Sequence, residues 1–432
     1  MKAVSIALFA GVVGFALAQP FTAANATTLQ ETVVYSFCRA KNCRDGNDPT
    51  ASLIEMKGKL YGTTREGGDQ GGPDHQGGGT VFRLDPSTGA EKVLHGFCRR
   101  NGGCTDGSTP FAGLTKVNGQ LLGTTATGGY SQCFIDFSCG TVFSVNPATD
   151  TENVLYPFCS QQSCTDGKSP VANVIDVGGT LYGTTEAGGA GVGTIFSLDP
   201  TTGSETVLYS FLGGADGWGP VASLIDVKGT LYGTTYLGGG TGCGDGGTGC
   251  GTVFSFDPST GVEKILYSFC QMSNCSDGQN PEVSLIYVKG QLYGTTGEGG
   301  NAGCGGAGCG TIFSLDLETG AEKVVYSFCS QQNCADGANA SSSLIDVNGV
   351  LYGTTAYGGN AGCDTSGCGT VFSLDPHTGV ETVVYAFCSQ QNCSDGSKPV
   401  ASLINVDGIL YGTTETGGTH NQGTVFALTG VH

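Results

Sequence analysis

The sequence predicts an all-β chain, a seven-bladed β-propeller with four-stranded blades. Three observations predict it. The string L-Y-G-T-T begins at Leu60, Leu181, Leu231, Leu292, Leu351 and Leu410, with L-L-G-T-T at Leu121, and the copies lie 61, 60, 50, 61, 59 and 59 residues apart. A period in this range marks a solenoid, a propeller or an array. Each unit carries four short apolar runs, the strand count of a propeller blade. The chain also starts and stops out of phase with the unit, as a ring sewn shut by its two ends must.

In chain order, residues 1–18, "MKAVSIALFAGVVGFALA", set Lys2 before an apolar run that ends small-x-small at Ala16 and Ala18, the pattern of a signal peptide. Ala24 and Ala26 offer a second cleavage site. A single seven-repeat domain is expected over 31–430. Residues 31–37, "ETVVYSF", read as a fourth strand with no blade before it. Within a unit, "SLIDVKGTLYGTT" gives two strands around Lys228-Gly229, and "GTVFSFDPSTGVEKILYSF" gives two more around Asp257 to Gly261. In the second turn Asp257 caps, Pro258 presets φ and Gly261 takes a left-handed conformation; Asp150 stands at the glycine position of one copy and tolerates that region. The C-terminal "GTVFALTG" is a third strand with no fourth after it. Pairing residues 31–37 with the sheet of residues 400–428 completes a seventh blade and removes an open sheet edge.

The order L-Y-G-T-T strand, G-G loop, G-T-V-F strand, V-L-Y-S-F strand and D-G-x-x-P resembles the Gloeo/Verruco (GloVer) tandem-repeat family of exported bacterial proteins, over essentially all of residues 31–430. The resemblance implies a propeller-like protein, secreted or at the cell surface, and implies no catalytic residue. The expected location is secreted or periplasmic.

Composition agrees with export. Lysine and arginine number 18 against 37 acidic residues, a net charge of −19, so neither nucleic acid nor an anionic membrane surface is an expected partner. Twenty cysteines suit an oxidising compartment. Each has a near neighbour, and a unit that lacks one member lacks both. Ten local disulfides are therefore expected: Cys38-Cys43, Cys98-Cys104, Cys133-Cys139, Cys159-Cys164, Cys243-Cys250, Cys270-Cys275, Cys304-Cys309, Cys329-Cys334, Cys363-Cys368 and Cys388-Cys393. Zinc is the competing reading, but it usually draws on histidine or a C-x2-C knuckle, and the chain has five scattered histidines. No metal is predicted. Each clip constrains the unfolded chain by about 2 kcal/mol. One kind follows the outer strand and the other joins the second and third strands, so all ten should occupy one face of the ring.

Candidate chemistry is sparse. Seven Asp-Gly pairs, at Asp45, Asp106, Asp166, Asp216, Asp277, Asp336 and Asp395, read as repeated Asx-type turns; the rival reading is a carboxylate ring at the channel mouth that holds Ca²⁺. His75 and His420 fall in second-to-third-strand loops of neighbouring blades, an acid/base or metal pair on one reading and solvated loop residues on the other. No H-E-x-x-H, G-x-S-x-G or EF-hand pattern occurs, and no catalytic residue is assigned. The aromatic residues are less evenly shared. Blade 2 carries Tyr130, Phe134 and Phe137 in one clipped loop, blade 4 carries Tyr236, blade 6 carries Tyr357, and the connection into blade 4 carries Trp218 beside Asp216 where other copies have cysteines. Trp218 either lines a notch suited to a sugar ring or peptide side chain, or fills the volume of the missing clip. The expected function is a monomeric, non-enzymatic recognition or adhesion module for an extracellular glycan or protein, with a structural envelope component or a secreted glycan-acting enzyme as alternatives.

Overall fold

The computed structural model describes residues 29–68, 77–98, 104–129, 139–240, 243, 248–301, 303–359, 362–363 and 366–430. The expected signal segment lies outside the described residues. Seven four-stranded antiparallel sheets form the expected propeller. First in the chain is β1 (Gln30–Ser36). Blade 1 is β2 (Ile54–Met56), β3 (Lys59–Thr64), β4 (Thr80–Asp85) and β5 (Ala90–Gly96). Blade 2 is β6 (Thr115–Val117), β7 (Gln120–Thr125), β8 (Thr141–Asn146) and β9 (Thr151–Pro157). Blade 3 is β10 (Ile175–Val177), β11 (Thr180–Thr185), β12 (Thr194–Leu198) and β13 (Glu205–Ser210). Blade 4 is β14 (Ile225–Val227), β15 (Thr230–Thr235), β16 (Thr252–Asp257) and β17 (Val262–Ser268). Blade 5 is β18 (Ile286–Val288), β19 (Gln291–Thr296), β20 (Thr311–Asp316) and β21 (Glu322–Ser327). Blade 6 is β22 (Ile345–Val347), β23 (Val350–Thr355), β24 (Thr370–Asp375) and β25 (Val380–Ala386). Blade 7 is β26 (Ile404–Val406), β27 (Ile409–Thr414) and β28 (Thr424–Thr429), and β1 pairs with β28 to complete it, as the phase of the ends predicts.

The turns follow their residues. Lys228 and Gly229 both take positive φ, 56° and 87°, the twist that suits a two-residue hairpin, and Asp226 Oδ1 accepts the Gly229 N–H at 2.9 Å. At the second turn Asp257 Oδ1 accepts from the Ser259 N–H and its carbonyl from the Gly261 N–H, both at 2.8 Å. Asp150 sits at φ 56°, as its glycine-like position demands.

The L-Y-G-T-T string is a set of blade joints. Its first threonine donates to the chain just ahead of the next blade's first strand: Thr63 Oγ1 to the Ala112 carbonyl at 2.9 Å, Thr124 to Ala172 at 3.0 Å, and so on round to Thr413 and Ala51 at 3.2 Å. That last bond crosses from blade 7 to blade 1. The second threonine pairs with the threonine of G-T-V-F across the sheet, as Thr64 Oγ1 does with Thr80 Oγ1 at 2.8 Å. The core lies between blades. A phenylalanine after each outer strand meets, edge to face, the phenylalanine of the next blade's third strand, and the seven centroid distances run from 4.9 to 5.1 Å around the ring. The glycine of L-Y-G-T-T makes room for that ring. A Cβ on Gly294 would stand 2.6 Å from Phe313 Cζ and 2.8 Å from Leu285 Cδ2. Gly294→Ala should therefore cost about 1–3 kcal/mol by overpacking, read as a lower urea midpoint at unchanged slope.

A second set of joints explains the Asp-Gly pairs. Asp45 accepts from the Tyr35 hydroxyl and the Arg39 N–H, both at 2.8 Å, and from the Ala40 N–H at 3.0 Å. The same Tyr–Asp bond recurs at Tyr156–Asp166, Tyr209–Asp216, Tyr267–Asp277, Tyr326–Asp336 and Tyr385–Asp395, and His95 replaces the tyrosine opposite Asp106. A β-bulge just before each tyrosine, such as the unpaired Val34, re-aims the strand end that carries it. These carboxylates turn back to the outer strand and are not among the residues that line the central bore. Six of the latches also face a glutamate from the next blade's outer strand. Burial, together with the charge of the latch aspartate, pushes Glu31, Glu91, Glu205, Glu263, Glu322 and Glu381 up to about 7.

Candidate functional site

Inside a near-constant frame, two dipeptides differ from copy to copy. One follows each Asp-Gly: Asn47-Asp48, Ser108-Thr109, Lys168-Ser169, Trp218-Gly219, Gln279-Asn280, Ala338-Asn339 and Ser397-Lys398. The other follows each T-T: Arg65-Glu66, Ala126-Thr127, Glu186-Ala187, Tyr236-Leu237, Gly297-Glu298, Ala356-Tyr357 and Glu415-Thr416. The fold brings the two together in every blade. Asn47 bridges Glu66, Ser108 bridges Thr127, Lys168 bridges Ala187, Trp218 bridges Leu237, Gln279 bridges Glu298, Ala338 bridges Tyr357 and Ser397 bridges Thr416. The other two members also pair, since the N–H groups of Arg65, Tyr236 and Glu415 donate to the carbonyls of Asp48, Gly219 and Lys398 at 2.9–3.0 Å. Seven spokes result, on the cysteine-bearing face.

Backbone strain marks these spokes. The residue before the proline position takes a left-handed φ of 55–64° in all seven blades. Asp48, Gly219, Asn280 and Asn339 accept it readily, whereas Thr109, Ser169 and Lys398 hold it at a cost of order 1 kcal/mol each. Such strain concentrates where side chains must be aimed.

The channel at the hub is a narrow bore of about 150 Å³, lined by Ala51, Ala112, Ala172, Ala222 and a belt of serines. The belt is linked from blade to blade: Asn173 N–H to Ser223 Oγ at 2.9 Å, Ser223 to Ser284 at 3.1 Å, Ser284 to Ser343 and Ser343 to Ser402, each at 3.0 Å. Ligand pockets usually need roughly 300 Å³ or more, so a ligand would rest on the mouth and not in the bore. Glu282 is the one ionisable residue that lines this channel among the described residues. Burial and the nearby Glu298 push its carboxyl up.

The spokes divide by chemistry. Those of blades 7 and 1 are charged: Arg65 pairs with Asp48 at 3.4 Å, Glu415 and Lys398 adjoin, and burial with the Glu415 charge pushes Asp48 up to about 6. Those of blades 4, 5 and 6 combine flat aromatic side chains with amides. Trp218 is 39% exposed and Tyr357 37% exposed, while Gln279 Nε2 donates to Glu298 Oε2 at 2.7 Å. The Tyr236 phenol is pushed up by burial, then by Glu282 and Glu298, and is bonded to Asn280.

Against this geometry the sequence-predicted residues sort clearly. Trp218 and Tyr236 occupy neighbouring rungs of one spoke, and the exposure of Trp218 argues against its filling a void. Asp216 does not join them, because its carboxylate is held by the Tyr209 hydroxyl and by the Leu212 N–H at 2.7 Å. In the fold this carboxylate is the latch of blade 3. Tyr130, Phe134, Phe137 and His75 lie outside the described residues, and with them the notch of unequal loops and the His75–His420 pair; His420 itself is exposed. Nine of the expected disulfides are formed, and Cys133 of the tenth lies outside the described residues. Sequence reasoning named Tyr357 as a loop-face aromatic and missed Glu282, Glu298, Asn280 and Asn339. The signal for them was two variable dipeptides at fixed places in an otherwise repeated frame.

A larger groove, about 410 Å³, opens on the opposite face between blades 5 and 6, where Lys289, Lys323 and His377 meet. Its aromatic residue, Tyr293, is only 7% exposed. No helix among the described residues is long and apolar enough to cross a membrane.

Known proteins place the fold. The chain is similar to the extracellular domain described for a one component system of B. thetaiotaomicron, at 12% identity and a TM-score of 0.56 over 93% of this chain and 40% of that one. It is also similar to the extracellular domain described for a hybrid two component system of the same organism, at 10% identity and a TM-score of 0.56 over 92% of this chain and 39% of that one. The chain thus spans about two fifths of those structures. An oligogalacturonate lyase in complex with manganese is 13% identical, with a TM-score of 0.43 over 81% of this chain and 82% of the lyase. At such identities the likeness is one of fold alone. No curated protein sequence matches. The family model of the Gloeobacter/Verrucomicrobia repeat matches residues 75–307, 135–365 and 244–431, and the chain belongs to that family.

Proposed function

We propose that the protein is an exported recognition propeller that binds an extracellular glycan across the mouth spokes of blades 4 to 6, without transforming it. One observation carries the reading: residues vary among the seven copies where they converge on one face, and there the variation places exposed aromatic rings beside amide and carboxylate groups. Flat rings stack on sugar faces, and amides and carboxylates hold hydroxyl groups. Disulfide density and the extracellular setting of similar propellers support export.

Trp218 is the chain's single tryptophan, so its fluorescence reports on this spoke alone. In a glycan array followed by fluorescence titration, a bound glycan should shift Trp218 emission. Trp218→Ala and Tyr357→Ala should each weaken binding about threefold to tenfold, the worth of one aromatic contact. Binding that neither substitution alters would overturn the site. A second reading rests on the neighbouring carboxyls Glu282 and Glu298, the first pushed up by burial and by the second, a pair that would suit acid/base cleavage of the same ligand. Product release that Glu282→Gln abolishes would favour it.

A further inference from the structure

The cysteines gather beyond their pairs. In blade 4 the Sγ atoms of Cys243, Cys250, Cys270 and Cys275 all lie within 4.8 Å of one another. The same holds for Cys304, Cys309, Cys329 and Cys334 in blade 5, and for Cys363, Cys368, Cys388 and Cys393 in blade 6. Each set brings the clip between the second and third strands against the clip that follows the outer strand. Between clips, Cys243 Sγ is 3.9 Å from Cys275 Sγ, and Cys363 Sγ is 3.8 Å from Cys393 Sγ. A tetrahedral ion with metal–sulfur bonds near 2.3 Å needs its sulfurs about 3.8 Å apart. The spacing agrees: blades 5 and 6 both read C-x4-C-x19-C-x4-C, and blade 4 reads C-x6-C-x19-C-x4-C. Cysteine pairs of C-x2-C to C-x4-C spacing set about 15–20 residues apart are a pattern of zinc sites, which blades 5 and 6 match and blade 4 exceeds by two residues in its first pair. Cys250, Cys309 and Cys368 are fully buried, so one sulfur of each set is shielded from water.

We propose that each of these three clusters has a second state, in which four thiolates close around a tetrahedral, thiophilic divalent cation such as Zn²⁺. The change is a reduction followed by ligand exchange. A dithiol attacks the Cys243–Cys250 bond and leaves as its own disulfide, passing two electrons and two protons to the freed sulfurs; the Cys270–Cys275 bond opens likewise. The cation then displaces the four protons. Blades 1 and 7 supply internal controls. Cys98–Cys104 and Cys38–Cys43 stand alone, with no cysteine between the second and third strands of those blades.

To test this, the full chain is reduced without oxygen by a phosphine, which becomes its oxide with an oxygen atom from water, and titrated with Co²⁺ and then Zn²⁺. The expected result is the absorption of tetrahedral cobalt thiolate, lost on addition of zinc, in a chain whose far-UV circular dichroism is unchanged. Cys243→Ser should lower the bound metal by one equivalent, and the combined Cys243→Ser, Cys304→Ser and Cys363→Ser chain by three. Cys38→Ser and Cys98→Ser should leave it unchanged. Absence of cobalt thiolate absorption, equal losses from the solitary pairs, or loss of β structure on reduction would each overturn the proposal.

Discussion

A chain beginning at residue 40 should melt on the order of 10 °C below the intact protein, and should aggregate on heating. Without β1 the outer edge of blade 7 is open, Asp45 loses Tyr35, and Phe82 loses the Phe37 ring that packs on it at 5.1 Å. Truncation of one buried phenylalanine already costs about 3–5 kcal/mol, and each kcal/mol lowers the melting temperature of a large domain by about 2 °C. An exposed, unpaired strand edge is also a template for intermolecular pairing. The Cys38–Cys43 clip is lost with the strand, so the comparison needs the Cys38→Ser, Cys43→Ser double variant, which should lose far less. Added back in trans, a peptide of residues 29–39 should restore part of the stability. A truncated chain that melts with the intact protein would mean that the ring closes by some other means.

The second large effect is one of pH. Six latch glutamates have carboxyls pushed up to about 7 in the fold, from an ordinary value of 4.5. Between those values the unfolded chain has released protons that the folded chain still holds. Stability therefore falls as pH rises through this window, and the loss is complete above the folded value. Asp48, pushed up to about 6, acts in the same direction. These side chains are only partly buried, so solvent screening reduces each contribution to about 1 kcal/mol; the sum is still several kcal/mol. The melting temperature should be several degrees higher at pH 5 than at pH 8.5. Glu322→Gln should raise it at pH 8.5 and leave it nearly unchanged at pH 5. The turn aspartates do not confuse the reading, since hydrogen bonds from their own turns hold Asp199, Asp257, Asp316 and Asp375 below the ordinary range, and they titrate in more acid solution. A melting temperature that is flat or rises from pH 5 to 8.5 would show that the latches are not strained by charge.

The ring was legible in the sequence because each unit repeats the same local instructions. Lys228-Gly229 and Asp257 to Gly261 fix hairpins by themselves, and the unmatched "ETVVYSF" and "GTVFALTG" state how the ends meet. The latches were half legible: Asp-Gly announced a turn, but nothing local says that the Asp45 carboxylate finds the hydroxyl of Tyr35 ten residues back, or a glutamate of the next blade. The site was harder still. Trp218 drew notice by being unique and Tyr357 as an aromatic residue of the loop face, whereas Glu298 gains meaning only when dipeptides about 20 residues apart are laid side by side. The sulfur clusters failed to show for a related reason. A cysteine five residues from another is sufficient explanation of both until the fold sets a second pair against them.

The closing seam also decides how the ring would bear load. Gln30 pairs with Thr429 and Ser36 with Thr424, so the chain enters and leaves at the same end of one ladder. A pull between the two ends would act on the Gln30–Thr429 rung first and part the ladder one rung after another, with little shear across the other bonds. Drawn by its two ends, the ring would open as a zipper at modest force; held by one end alone, it would carry no tension across the seam.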